Sequence, residues 1–217
     1  MAPVVASTLT STTCRDESPM ESLNQTLFLQ LNAGTHPSPW ALVVSRFLAE
    51  VAIGLIPLTL LLGWLRSTDS TRKVMLEAVA SGVLAIVFNQ LIDLVWQHPR
   101  PFMIGLGHTY LAHAADSSFP SDHLSLWWAA SFTLLLHPAT RLAGAAMSIA
   151  GLSVAWSRIY LGVHFPLDMA GAAAFAIVSA SLCKLGRAWL IDPIFPWASA
   201  LHRKLFGPLI SRGWVLE

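Results

Sequence analysis

Residues 74–96, VMLEAVASGVLAIVFNQLIDLVW, decide the fold because they form an apolar run long enough to cross a lipid bilayer as a helix. Further apolar runs predict four more spans, at residues 40–65, 121–136, 142–163 and 167–190. The run at residues 121–136 is short, so its helix must begin within residues 119–123 to reach across the membrane. This pattern is typical of a helical bundle embedded in a membrane.

The composition of the chain supports the same fold class. Of its 217 residues, 54% are hydrophobic and 12% are charged, whereas about a quarter of the residues in soluble domains carry a charge. We therefore predict an all-α integral membrane protein with five transmembrane helices, or six if a segment near the N-terminus also inserts. A net charge of +1 gives no sign of a nucleic-acid partner, and we expect membrane lipids to surround the protein.

By composition the chain divides into three parts. Residues 1–39 are polar and lack the pattern of a signal peptide, and residues 23–31 within them predict a short interfacial helix. Residues 40–190 predict one membrane-embedded domain. Residues 191–217 are interrupted by prolines and carry tryptophans and basic residues, which is typical of a cytoplasmic or interfacial tail.

The distribution of basic residues indicates how the protein is oriented. With five spans, nine of the 13 Lys and Arg residues lie on the side of the C-terminus. These nine are Arg66, Arg72, Lys73, Arg141, Lys184, Arg187, Arg203, Lys204 and Arg212. Lys and Arg concentrate in the cytoplasmic loops of membrane proteins, so we predict an external N-terminus and a cytoplasmic C-terminus. The loop of residues 97–120 then lies on the external face.

Two stretches place histidines where they can act on a phosphate group: Phe119-Pro-Ser-Asp-His123 and Ser157-Arg-Ile-Tyr-Leu-Gly-Val-His164-Phe-Pro-Leu-Asp168. Asp168 follows His164 by four residues, so one helical turn lets the carboxylate orient the imidazole, which can then attack phosphorus. His123, at the start of a predicted helix, can protonate a leaving oxygen. Charged and polar groups are costly in lipid, so their grouping here indicates a functional site.

Three further residues are candidates for binding a phosphate group. Arg100 lies between two prolines that stiffen its backbone, and a guanidinium group binds phosphate oxygens in a bidentate manner. Ser121 is a candidate N-cap beside the free N–H groups of a helix N-terminus. Arg158 precedes His164 by six residues. Taken alone, Arg100 also fits a loop arginine at the lipid headgroups, and Ser121 a structural cap.

Together these residues resemble the motifs of the type 2 phosphatidic acid phosphatase and haloperoxidase superfamily. Its pattern is Lys seven residues before Arg-Pro, then Pro-Ser-Gly-His, then Ser-Arg, five residues, His, three residues and Asp. The third element is present in full, the second has Asp122 in place of Gly, and the first is reduced to Arg100-Pro101. The resemblance covers roughly residues 74–183, and the variant FPSDH is similar to bacterial undecaprenyl-diphosphate phosphatases of the bacitracin-resistance type.

This resemblance implies a role for each motif residue. His164 would be the nucleophile that forms a phosphohistidine, Asp168 would orient it, and His123 would protonate the departing lipid phosphate. The phosphoryl oxygens would be held by Arg100, Ser121 and Arg158. Members of the family need no metal ion or other cofactor, so we expect none here.

The implied reaction is hydrolysis of undecaprenyl diphosphate to undecaprenyl phosphate at the outer face of a bacterial plasma membrane. The lipid diphosphate is then the expected partner of the site. An alternative substrate is another lipid phosphate, such as phosphatidic acid, phosphatidylglycerol phosphate or a lipid A phosphate. A second alternative, from a different class, is a lipid-phosphate binder without catalytic activity.

Asp93 stands seven residues before Arg100, where the family pattern has Lys. Three interpretations are open: His98 or another basic group substitutes for the Lys, Asp93 tunes the pKa of a neighbouring group, or Asp93 merely ends the second span. Three interpretations are also open for Asp122. It orients His123, it favours a diphosphate over a monophosphate as substrate, or it is a carboxylate at a helix start that the helix dipole stabilises. We therefore regard Asp93, His98 and Asp122 as candidate modulators.

Two further features have structural interpretations. Arg46 and Glu50 are four residues apart in the first span and predict an ion pair inside the membrane. His108 and His113, with His98, are spaced irregularly, which favours separate loop histidines over a metal site.

Overall fold

The computed structural model describes residues 18–216, and in this range helices are the regular secondary structure. In chain order they are α1 (Pro19–Leu31), α2 (Pro39–Arg46), α3 (Leu55–Leu65), α4 (Asp69–Val95), α5 (Asp122–Leu135), α6 (Arg141–Tyr160), α7 (Pro166–Leu185), α8 (Arg187–Leu190) and α9 (Phe195–Ile210). The predicted all-α membrane bundle is thereby confirmed.

Four helical segments of the described chain are long and apolar enough to cross a membrane: Pro39–Leu65, Asp69–Val95, Pro138–Tyr160 and Pro166–Leu185. Helix α5 is shorter, with 14 residues, and begins at Asp122, within the range expected for the short third run. It packs against α4, α6 and α7, and its large side chains Trp127 and Leu134 are buried. Helix α5 is therefore the centre around which the longer helices assemble.

Neighbouring helices run in alternating directions. Near the end of α4, Asn89 Nδ2 donates to Asp122 Oδ1 at the start of α5 (2.7 Å). Near the start of α4, Glu77 Oε1 lies 2.8 Å from Nε2 of His137, which follows α5. The two helices are therefore antiparallel. The end of α4, the start of α5, the end of α6 and the start of α7 all lie at one end of the bundle, together with the loop of residues 97–120.

The first membrane segment is irregular in its middle. Helices α2 and α3 are joined by a π-helical turn (Phe47–Val51) and a 3-10 turn (Ala52–Gly54). Arg46 donates to the carbonyl oxygen of Tyr110 through Nε (3.2 Å) and Nη2 (3.1 Å), so the ion pair expected between Arg46 and Glu50 is not formed. A π-helical turn contains more residues than an α-helical one, which moves side chains four apart out of register.

Both ends of the described chain pack onto the bundle. Helix α1 starts earlier than expected and contributes Phe28, whose ring packs 5.3 Å from that of Phe165, beside the start of α7. At the opposite end, Nδ1 of His202 in α9 accepts from Trp64 Nε1 (3.1 Å). The division into residues 1–39, 40–190 and 191–217 stays a prediction, and residues 1–17 lie outside the described part.

Candidate active site

His164 is buried in the turn between α6 and α7. Gly162 makes this turn with a φ of +81°, which glycine adopts without strain, and a side chain there would collide with the backbone of His108. Nδ1 of His164 lies 3.2 Å from Asp168 Oδ2 and 3.0 Å from the carbonyl oxygen of Ser118. Because a carbonyl oxygen can only accept, Nδ1 carries the proton and Nε2 holds a lone pair.

The lone pair of His164 Nε2 faces two guanidinium groups. Arg100 Nη1 lies 3.1 Å from Nε2, and Arg158 Nη2 lies 3.4 Å from it. Burial lowers the pKa of His164 well below its ordinary value of 6.5, and the charges of Arg158 and Arg100 lower it further. The imidazole is therefore uncharged at neutral pH. An anion bound between the two arginines would lie against its lone pair.

Asp168 lies in the first turn of α7 and is fully buried. Pro166 begins this helix, a position that proline favours because its fixed φ suits the first turn. The Oδ2 atom of Asp168 accepts from the N–H of Phe165 (2.7 Å) and from the hydroxyl of Ser118, besides facing Nδ1 of His164. These donors hold the carboxylate in place, and the carboxylate in turn fixes the tautomer of His164.

Arg100 is buried, and all three nitrogens of its guanidinium group have partners. Nε donates to Asp116 Oδ1 (2.8 Å), Nη1 to the carbonyl oxygen of Val163 (2.9 Å), and Nη2 to that of Ser117 (3.0 Å). These bonds fasten the loop of residues 97–120 to the turn that carries His164. The guanidinium group is consequently held in one orientation.

Arg158, in the last turn of α6, is also buried. Its Nη1 donates to the carbonyl oxygen of Ala49 in the π-helical turn of the first membrane segment (3.3 Å), and its Nη2 lies 3.0 Å from His113 Nε2. Burial and the charge of Arg100 lower the pKa of His113, so this imidazole is neutral and accepts from Arg158. The first membrane segment and the loop of residues 97–120 thus both help to position Arg158.

The start of α5 completes the cluster. Ser121 is the N-cap residue and is fully buried, and its hydroxyl has no hydrogen-bond partner among the described residues. Its backbone N–H donates to the carbonyl oxygen of Asp168 (3.4 Å). His123, in the first turn of the helix, is half-buried and within electrostatic reach of Arg158 and Arg100. Six motif residues from four segments of the chain therefore lie in one region.

The three candidate modulators lie around this cluster, each in different surroundings. Nε2 of His98 lies 3.2 Å from Glu21 Oε2 of α1. Asp122 accepts from Asn89 in α4, which ties the first turn of α5 to α4. Asp93 lines a polar cavity of about 140 Å³ together with Arg100, and its Oδ1 is buried with no hydrogen-bond partner among residues 18–216.

Sequence reasoning did not assign to the site several residues that contact the motif side chains. They are Asn89, His113, Asp116 and Ser118. The one signal for three of them is that residues 113–118, HAADSS, carry four polar side chains directly before the FPSDH stretch. Their partners, Arg158, Arg100 and Asp168, could not be read from spacing, because each contact joins residues brought together by the bundle.

Comparisons with known proteins show which family and which fold this chain resembles. The sequence model of the PAP2 superfamily matches residues 74–192. The chain is 36% identical to undecaprenyl-diphosphatase BcrC of Bacillus subtilis (strain 168) over 156 residues, 72% of this chain and 80% of that protein. It is 29% identical to YbjG of Escherichia coli (strain K12) over 199 residues, 91% of this chain and all of YbjG. The crystal structure of Aquifex aeolicus LpxE has the same fold, with a TM-score of 0.63 at 23% identity over 75% of this chain and 94% of LpxE.

Proposed function

Because the chain belongs to the PAP2 superfamily, we propose that it hydrolyses undecaprenyl diphosphate to undecaprenyl phosphate and inorganic phosphate. The observation that carries the proposal is the lone pair of His164 Nε2, which faces the converging guanidinium groups of Arg100 and Arg158. A nucleophile beside two phosphate-binding cations can accept a phosphoryl group and stabilise its charge during transfer. The identity to BcrC over most of both chains supports the choice of substrate.

In the first step, Nε2 of His164 attacks the terminal phosphorus of the diphosphate. A bond from nitrogen to phosphorus forms, and the bond from that phosphorus to the bridging oxygen breaks. The negative charge of the bound diphosphate favours the protonated form of His123, which donates this proton to the leaving undecaprenyl phosphate. Asp168 stabilises the positive charge that develops on the imidazole, because its carboxylate faces Nδ1. The product of this step is a phosphohistidine.

In the second step, water attacks the phosphohistidine, with His123 accepting a proton from the water. The bond between nitrogen and phosphorus breaks, which releases inorganic phosphate and restores the neutral His164. In both transition states negative charge is spread over three equatorial phosphoryl oxygens. Arg100, Arg158 and the hydroxyl of Ser121, which has no partner among residues 18–216, would bind these oxygens. The N-terminus of α5 adds N–H groups that favour an anion.

We further infer that the site faces outward and that the C-terminus is cytoplasmic. Basic residues such as Arg72 and Lys184 lie at the end of the bundle opposite His164, next to Trp64 and Leu136. Positive residues favour the cytoplasmic side, so the end with the histidines faces the exterior of a plasma membrane. The substrate would enter from the outer leaflet.

The decisive experiment measures phosphate release by the purified protein in detergent, with EDTA present. Undecaprenyl diphosphate should be hydrolysed at the same rate with and without the chelator, because arginines and a helix N-terminus provide the positive charge that binds phosphate. A strong preference for phosphatidic acid, phosphatidylglycerol phosphate or a lipid A phosphate would contradict the proposed substrate. Release from none of these lipids would indicate a non-catalytic binder.

The variant Asp93→Lys tests the position where the family pattern has Lys. The side chain of Asp93 lines the same cavity as Arg100, so a lysine there adds a cation beside the phosphate-binding group. We expect kcat/KM for undecaprenyl diphosphate to be kept or raised, by up to about tenfold, with a smaller gain at high salt. A loss comparable to that of His164→Ala would instead show that Asp93 has a role of its own.

A further inference from the structure

Asp116 places a carboxylate directly on one of the two arginines that face His164. Its Oδ1 lies 2.8 Å from Nε of Arg100, and the two side chains differ in exposure, 57% for Asp116 and 5% for Arg100. The guanidinium group is therefore buried, while the carboxylate reaches it from the solvent side. Any phosphate that approaches Arg100 from this side meets the negative charge of Asp116.

Two more carboxylates lie close to the same arginine. Among the described residues that line the polar cavity of about 140 Å³, Arg100 is the one cation beside Asp93, Asp116 and Asp122. Like charges repel, so these carboxylates reduce the attraction of Arg100 for an anion. Of the three, Asp116 is the one in direct contact with the guanidinium group. The charge balance at Arg100 thus opposes tight binding of a free phosphate ion.

We propose that Asp116 is a specificity-determining residue that weakens the binding of inorganic phosphate and so speeds its release as a product. This inference rests on the proposed function, in which inorganic phosphate is the last product to leave. The carboxylate and a phosphate oxygen compete for the same guanidinium group. The lipid diphosphate compensates with its second phosphate group and its hydrocarbon chain, whereas inorganic phosphate has neither.

A purely structural role for Asp116 leads to the opposite expectation. Arg100 also donates to the carbonyl oxygens of Val163 and Ser117, so removing the charge of Asp116 does not free the guanidinium group. The variant Asp116→Asn keeps an oxygen that accepts from Nε and removes only the negative charge. If Asp116 merely oriented Arg100, weakening this bond would lower the affinity for phosphate, whereas the competition we propose raises it.

The test is the affinity of the full-length protein in detergent for inorganic phosphate, measured by isothermal titration calorimetry. For Asp116→Asn we expect Kd to fall by about fivefold at low salt, the upper range for an exposed ion pair, and the difference to shrink at high salt. The matched control is Asp192→Asn, which removes another exposed carboxylate, paired with Lys73 at 2.7 Å at the opposite end of the bundle. The control should leave Kd unchanged.

An unchanged or higher Kd in Asp116→Asn would overturn the inference, as would a fall of the same size in the control. The measurement needs no turnover, so it separates this inference from the proposed function. If no lipid phosphate is hydrolysed but the Kd for phosphate falls, Asp116 still governs anion binding and the enzymatic proposal fails. If hydrolysis is found and Kd does not fall, the inference about Asp116 fails alone.

Discussion

The variant His164→Ala is expected to lose phosphate release from undecaprenyl diphosphate by at least about 10⁴-fold, because it lacks the atom that would form the proposed covalent intermediate. In the structure, Nε2 of His164 is the point on which Arg100 and Arg158 converge. Removing the imidazole leaves both guanidinium groups without a nucleophile between them. Substrate binding alone does not compensate for the missing nitrogen, because binding energy lowers the activation barrier only if a bond to phosphorus can form.

The matched control for this variant is His36→Ala, because His36 is exposed in the segment between α1 and α2. The control should keep its activity. Thermal unfolding and binding of inorganic phosphate check that the buried change at residue 164 leaves the fold and the arginines in place. Rapid quenching with labelled substrate should trap acid-labile phosphate on the unmodified protein and none on His164→Ala. If His164→Ala kept more than about a hundredth of the activity, the assigned nucleophile would be wrong.

The variant Asp168→Asn is expected to lower kcat by about 10³- to 10⁴-fold while changing KM little. The Oδ2 atom of Asp168 accepts from Phe165 N–H and from Ser118 Oγ and faces His164 Nδ1. An amide group at this place presents either a neutral oxygen or an N–H donor to Nδ1. In the second case the proton moves to Nε2, and the nucleophilic lone pair no longer faces the arginines. In the first case the charge that stabilises the imidazolium is missing.

The variant Ser118→Ala separates the effect of orienting the Asp168 carboxylate from the effect of its negative charge. It removes one hydrogen bond to the carboxylate and leaves the negative charge of Asp168, so we expect kcat to fall by no more than about tenfold. The variant Asp168→Glu keeps the negative charge but changes its distance from Nδ1 of His164. Its kcat should lie between those of Asp168→Asn and Ser118→Ala. Activity of Asp168→Asn close to that of Ser118→Ala would show that the negative charge is not needed.

Much of the fold follows from local sequence alone. An apolar run of about 20 residues has few alternatives to a membrane helix, because every backbone N–H and C=O must be satisfied inside the lipid. The short third run correctly predicted the short helix α5, which starts at Asp122. The ion pair predicted between Arg46 and Glu50 was wrong, because the spacing rule assumes an α-helix and the chain makes a π-helical turn there.

The sequence by itself also determined which residues are candidates for the chemistry, because spacing within one turn links His164 to Asp168. Only the tertiary structure decided what surrounds them. Arg100 contacts Asp116, which is 16 residues away in sequence. Arg158 contacts His113 and the carbonyl oxygen of Ala49, which are 45 and 109 residues away. The physical reason is that antiparallel packing of the helices brings the ends of four segments together. Neither hydrophobic periodicity nor motif spacing predicts how each helix is rotated about its own axis, because that rotation depends on how the side chains pack.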